Sequence, residues 1–171
     1  MPAVAVGSAV SAMVAQNIGA NNWARVDRAV WSGIVINLVM SGILVLLTTV
    51  FAAPLLGLFL PDGSPAIAIA IHINHIIGWS FILMGVSVVV TFAVRANGAV
   101  LAPLLILIFS AIVVRFFVGF GLHDRFGADA IWAAFIATSI ASGILSIAYY
   151  LHGGWRKAKA MPFASPAAAA E

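Results

Sequence analysis

Residues 30–53 read VWSGIVINLVMSGILVLLTTVFAA, with no Asp, Glu, Lys or Arg among them. An α-helix rises 1.5 Å per residue and the hydrocarbon core of a bilayer is about 30 Å thick, so about 20 apolar residues make one crossing. This stretch is long enough to span. Pro54 follows directly and ends or bends the helix, with residues 55–60 extending it by a turn at the interface.

Working outward, three more stretches meet the same criterion: 66–94, 100–122 and 131–151. The second is longer than a straight crossing needs, which predicts tilt or a break, with Gly78 and Gly85 as yielding points. The third carries one charge, Arg115. Residues 2–15 are apolar and rich in small side chains but too short to cross. They read as a re-entrant or interfacial segment or, by preference, as the last part of a spanning helix whose beginning is missing, which would make the chain the C-terminal portion of a larger polypeptide or a product started at an internal Met. The expected fold is an all-α polytopic transmembrane helix bundle of four full spans plus a partial N-terminal helix. A membrane domain occupies 1–151, and a basic tail, expected to be disordered, occupies 152–171.

Composition agrees. The 171 residues are 64% hydrophobic and 8% charged, against roughly 45–50% and 25% in soluble domains. Mean hydropathy is +1.16. That leaves too little polar surface to coat a soluble globule, and disorder needs the opposite balance. The absence of cysteine excludes disulfides, thiolate metal sites and thiol chemistry. The net charge of +3 points to orientation in a bilayer and not to nucleic acid.

The breaks between spans alternate in charge. Arg25 and Arg28, the Arg95 turn, and Arg156, Lys157 and Lys159 of the tail fall on one side; the turn at Asp62 and the loop with Asp124, Arg125 and Asp129 fall on the other. The positive-inside rule makes the six-cation side cytoplasmic, placing a multi-pass protein in the plasma (inner) membrane with its C-terminus in the cytoplasm. Trp155, Tyr149 and Tyr150 sit where an interfacial aromatic belt is expected, and Trp23 and Trp31 flank the first cytoplasmic loop, 16–29.

Small and hydroxylated residues recur at helical spacing. Ala133, Ala137 and Ala141 form one stripe of the last span; Ala134, Thr138, Ser142 and Ser146 form the next. Gly33, Asn37, Ser41 and Thr48 share a face of the first full span. Such faces mark helix–helix packing in lipid. The alternative is that Asn37 and Ser41 line a polar cavity. Arg115 is expensive in hydrocarbon. Either it snorkels toward Asp124 or Asp129, or it belongs to a gate or substrate path. His72 and His75 open the second span with Trp79 one turn further on the same face, as interfacial residues or as protonation or substrate contacts. No third ligand is suggested beside them, so no metal site is expected. All five acidic residues fall in loops or the tail, so the spans supply no carboxylate for cation coupling. No nucleophile elbow, phosphate loop or zincin helix is present, and no enzymatic activity is expected.

Val14-Ala15-Gln16-Asn17-Ile18-Gly19-Ala20, followed by Asn21-Asn22-Trp23-Ala24-Arg25-Val26-Asp27-Arg28-Ala29, resembles the cytoplasmic loop of MATE multidrug efflux transporters, Gly-Gln-x-x-Gly-Ala and a short basic helix. Arg95, Gly98 and Pro103 resemble that family's Arg-Gly-x-Gly turn and the proline opening the next span. Leu58-Phe59 before the Asp62 turn also fits. Two departures are Ala15 for the glycine before Gln16 and Ala96 for the first glycine of the turn. The resemblance covers nearly the whole chain. It implies the C-terminal lobe of a twelve-span, two-lobed transporter, from the end of the eighth helix through the twelfth. It implies export of organic cations or hydrophobic drugs in exchange for H⁺ or Na⁺ by alternating access, with the N-terminal half and the lipid bilayer as partners and no cofactor beyond the coupling ion. The family's tenth helix often carries a carboxylate; 66–94 has none, so coupling would reside in the other half or use His72 or His75. Two further readings stay open: a lipid-linked saccharide flippase of related architecture, and a non-transporting membrane subunit.

Overall fold

The structure is a computed structural model that describes residues 2–61 and 64–158. The Asp62 turn and the tail from Lys159 onward, Glu171 included, lie outside the described residues. The elements are helical throughout: α1 (Pro2–Gly19), α2 (Trp23–Val50), α3 (Ala52–Gly57), α4 (Pro65–Ile77), α5 (Ser80–Arg95), α6 (Leu101–Ile108), a π-helical turn (Phe109–Val114), α7 (Arg115–Phe126), α8 (Asp129–His152) and a 3₁₀ turn (Gly154–Lys157). Three helices are long and apolar enough to cross a membrane: Trp23–Val50, Leu101–Phe126 and Asp129–His152. The pair α4 and α5, bent by 49° at a short break, meets the same test as one broken span.

α5 is the hub. It packs on α1, α2 and α8; α1 also lies along α2, and α7 along α8. The core is largely valine, with Val10 and Val14 of α1, Val26 and Val30 of α2, and Val89, Val90 and Val94 of α5 all buried. Such short branched side chains let three helices approach closely. Outward faces of α2, α6 and α7 instead expose Leu, Ile, Val and Phe, the surface a helix presents to hydrocarbon.

The first connection is tighter than the expected loop over 16–29. α1 runs on to Gly19, and Asn21 takes a left-handed conformation (φ 53°). The Asn22 N–H donates to the Asn17 carbonyl (2.8 Å) and the Asn21 N–H to that of Ile18 (2.9 Å). This is the Schellman pattern, with Asn in the role glycine usually takes. Asn22 then caps α2, its side chain accepting from the Arg25 N–H (3.1 Å). Arg25, Asp27 and Arg28 therefore lie on the opening turns of α2 and not in a loop.

The yielding point of the long second stretch is Gly78, not Gly85, which sits buried within α5. At the break the Ser80 hydroxyl donates to the Ile77 carbonyl (2.7 Å), and the Phe81 N–H to the Gly78 carbonyl (3.2 Å). These bonds recover partners that a bend in a low-dielectric setting would otherwise leave orphaned. α2 stops at Phe51, before Pro54, which falls in the first turn of α3.

Candidate functional site

The bend opens a groove of about 380 Å³ between α1, α2, α4 and α5, whose lining includes Ser41, Val45, Asn74, Gly78, Phe81 and Gly85. A broken helix inside a bundle frees backbone and small side chains to face a cavity, which is how many transporters build a midplane site. Directly beside it, Asn37 is fully buried. Its Oδ1 accepts from the Ser41 hydroxyl (3.3 Å), one helical turn on, while its Nδ2 has no partner among the described residues. A Cβ on Gly85 would stand 2.5 Å from that nitrogen. Gly85 is thus a packing slot for the Asn37 amide. Asn37 itself does not line the groove; Ser41 does.

Asn74, which the sequence did not single out, lines the groove and bonds across it. Its Nδ2 donates to the Thr48 carbonyl (3.1 Å). Thr48 lies in the last turn of α2, where carbonyls have no intrahelical donor. The side chain therefore closes α4 onto the end of α2. A polar residue four positions before the glycine of an expected break, Asn-x-x-x-Gly, was the available signal.

His72, His75 and Trp79 do not enter this groove; all three are exposed. His72 Nε2 lies 3.3 Å from both carboxylate oxygens of Asp129, the first residue of α8. Both side chains are about half exposed, so the pair ties α4 to α8 with little net stabilisation. Among the described residues no three His, Asp or Glu side chains gather to hold a metal ion.

Arg115 lies at the exit of the π turn. It does not pair with Asp124 or Asp129. Its guanidinium stacks on Phe135 of α8, 4.5 Å from the ring centroid, and its Nε is buried without a partner among the described residues. A second groove, about 350 Å³, opens beside it between α7 and α8.

The motif residues occupy one end of the bundle. Gln16, Gly19 and Ala20 are exposed around the Schellman turn. Arg95 ends α5, Gly98 takes φ 81°, and Pro103 is buried in the first turn of α6. Ala96, at the position where the resembled turn has glycine, is in ordinary right-handed geometry (φ −59°), so alanine fits there. Between these turns Trp155 is completely buried, which corrects its expected place, with Tyr150, in an interfacial belt. The Trp155 Nε1–H donates to the Tyr150 carbonyl (3.0 Å), and Asn97 Nδ2 donates to the Trp155 carbonyl (2.8 Å). The Tyr150 hydroxyl and Arg156 Nη2 both donate to Asp27 Oδ1, each at 2.6 Å. Trp23 meets Trp155 edge-on, with centroids 5.9 Å apart. Of the expected packing stripes, the Ala134, Thr138 and Ser146 side is buried. Ser87 of α5 hydrogen-bonds both Ser142 (2.7 Å) and Ser146 (2.8 Å).

Residues 1–120 match the family model MatE. Over 152 residues, 88% of this chain, the sequence is 35% identical to "Probable multidrug resistance protein YoeA" of Bacillus subtilis (strain 168). The match takes in 33% of that relative, so the chain spans about a third of its length. No solved structure matches the chain.

Proposed function

This chain belongs to the MatE family, and on that premise we propose that it forms part of a secondary active efflux antiporter that exports organic cations or hydrophobic drugs. The observation that carries the reading is the 35% identity, over 88% of the chain, to a relative named for multidrug resistance. The groove at the Gly78 bend supports it. Apolar walls with Ser41, Asn74 and freed backbone would hold a hydrophobic solute while offering a few fixed hydrogen bonds. Alternating access rocks one helix bundle against another around such a site, so the facing bundle is the N-terminal half of the transporter. The coupling ion is H⁺ or Na⁺. Asp27, Asp124 and Asp129 sit at helix ends, which leaves a membrane-embedded carboxylate to the other half, or the task to His72 or His75. The protein spans the plasma (inner) membrane with Arg25, Arg28, Arg95 and the tail in the cytoplasm.

The test is complementation in efflux-deficient cells, reading retention of a fluorescent organic cation. Residues 1–171 alone should export nothing. Co-expressed with the preceding two thirds of a MatE transporter, they should lower retention in a way that collapses when the proton or sodium gradient is dissipated. Gradient-driven export by residues 1–171 alone would refute the two-bundle reading.

A further inference from the structure

The groove beside Arg115 is chemically unlike the one at the bend. It is lined by Phe116, Phe120, Ile131 and Phe135 together with Arg115, and by His123 about two turns further along α7. Arg115 is a permanent cation in an apolar span, with no carboxylate in ion-pair range among the described residues. Phe135 covers one face of the guanidinium. A ring quadrupole compensates a cation only partly, and it leaves the in-plane N–H donors unused. Nε is buried without an acceptor. The backbone is also irregular at this level. The π turn over Phe109–Val114 delivers Arg115, and Ser110, one π turn earlier and 1% exposed, has a hydroxyl with no partner among the described residues. Single π turns within α-helices concentrate at functional positions.

The geometry points to a binding site for a drug-sized organic anion: an aromatic or aliphatic body against the phenylalanines, and one carboxylate, sulfonate or phosphate on the Arg115 guanidinium. Three observations favour this occupant. The charge is complementary, and a planar guanidinium takes two oxygens of such a group at once. The volume, about 350 Å³, is that of a small-molecule pocket, far short of a two-chain lipid. Arg115 lies well inside the Leu101–Phe126 span, so a phospholipid phosphate would have to leave the headgroup plane to reach it. The site does not depend on the transport reading, and its charge preference is opposite to that of an organic-cation path.

The experiment is equilibrium dialysis of the full chain in phosphatidylcholine nanodiscs. The probes are radiolabelled 2-naphthalenesulfonate and a naphthyl trimethylammonium of the same body, with protein-free discs as reference. The sulfonate should bind above the reference, weaken about ten-fold or more in Arg115→Gln, and recover only in part in Arg115→Lys, which keeps the charge but not the two-oxygen grip and serves as the second variant if glutamine disturbs folding. Circular dichroism confirms helix content in each. The ammonium probe should show no dependence on residue 115. Equal sulfonate binding by wild type and both variants overturns the proposal. So does loss of sulfonate binding when phosphatidylglycerol is added to the discs, which would make a lipid headgroup the true occupant.

Discussion

At the scale of single residues, Gly85 and Asn37 form a tight lock between α5 and α2. The Asn37 amide occupies the space a Cβ on residue 85 would need. Gly85→Ala must therefore push α5 off α2 or turn Asn37 out of its rotamer. We expect a loss of about 1–3 kcal/mol, the usual cost of overpacking, read as a lowered midpoint of thermal or denaturant unfolding in detergent. Asn37→Ser shortens the side chain, and combining it with Gly85→Ala should restore part of the loss. Additive costs would show that the two residues are not in contact. The sequence placed Asn37 and Ser41 on a helix face with Gly33, since i, i+4 spacing is visible in one dimension. That Asn37 faces a glycine on another helix was not visible, because nothing local encodes which helices meet. The same limit applied to Arg115: the snorkelling alternative put it near Asp124 or Asp129, whereas its guanidinium lies on the Phe135 ring.

Elements show a sharper division between what composition dictates and what context decides. Apolar runs marked each long helix, and the two glycines Gly78 and Gly85 marked where the second could bend without deciding between them. The boundaries moved wherever capping chemistry overrode polarity. Charged Arg25, Asp27 and Arg28 suggested a loop, yet Asn21 and Asn22 end one helix and start the next within a few residues. The turn from α5 to α6 gives a direct test of such local chemistry. Gly98 is held at φ 81°, where a side chain is strained, whereas Ala96 is in helical geometry. Gly98→Ala should cost about 1 kcal/mol or more. Ala96→Gly, although it restores the glycine of the family's turn, should stabilise nothing and cost up to about 1 kcal/mol in backbone entropy. Paired unfolding curves decide this, and a stabilising Ala96→Gly would refute it.

Across the whole molecule, the described side chains sort themselves by end. Asp27, Asn97, Tyr150 and Arg156 meet at one end of the bundle, and His72 meets Asp129 at another place where α4 and α8 touch. Alternation of charge along the sequence groups the same segments. Because the chain has no cysteine, single replacements report on sidedness cleanly. With the C-terminus in the cytoplasm, Arg28→Cys and Lys157→Cys should resist a membrane-impermeant maleimide in intact cells and react after permeabilisation. Asp124→Cys should react in both. The reverse pattern would invert the proposed orientation. What the sequence could not convey at this scale was the role of Trp155. An aromatic just past a span looks like an interfacial anchor, and only its burial among Trp23, Tyr150 and Asn97 makes it a core residue.

That burial also has a consequence in time. Residues 155 and 156 follow α1 to α8 in the chain, so the Asn97 amide gains the Trp155 carbonyl, and Asp27 gains Arg156 beside the Tyr150 hydroxyl, only after α8 has been made. Trp155 and Arg156 then close this end of the bundle, and a chain stopped at residue 152 would hold α1 to α8 without that closure.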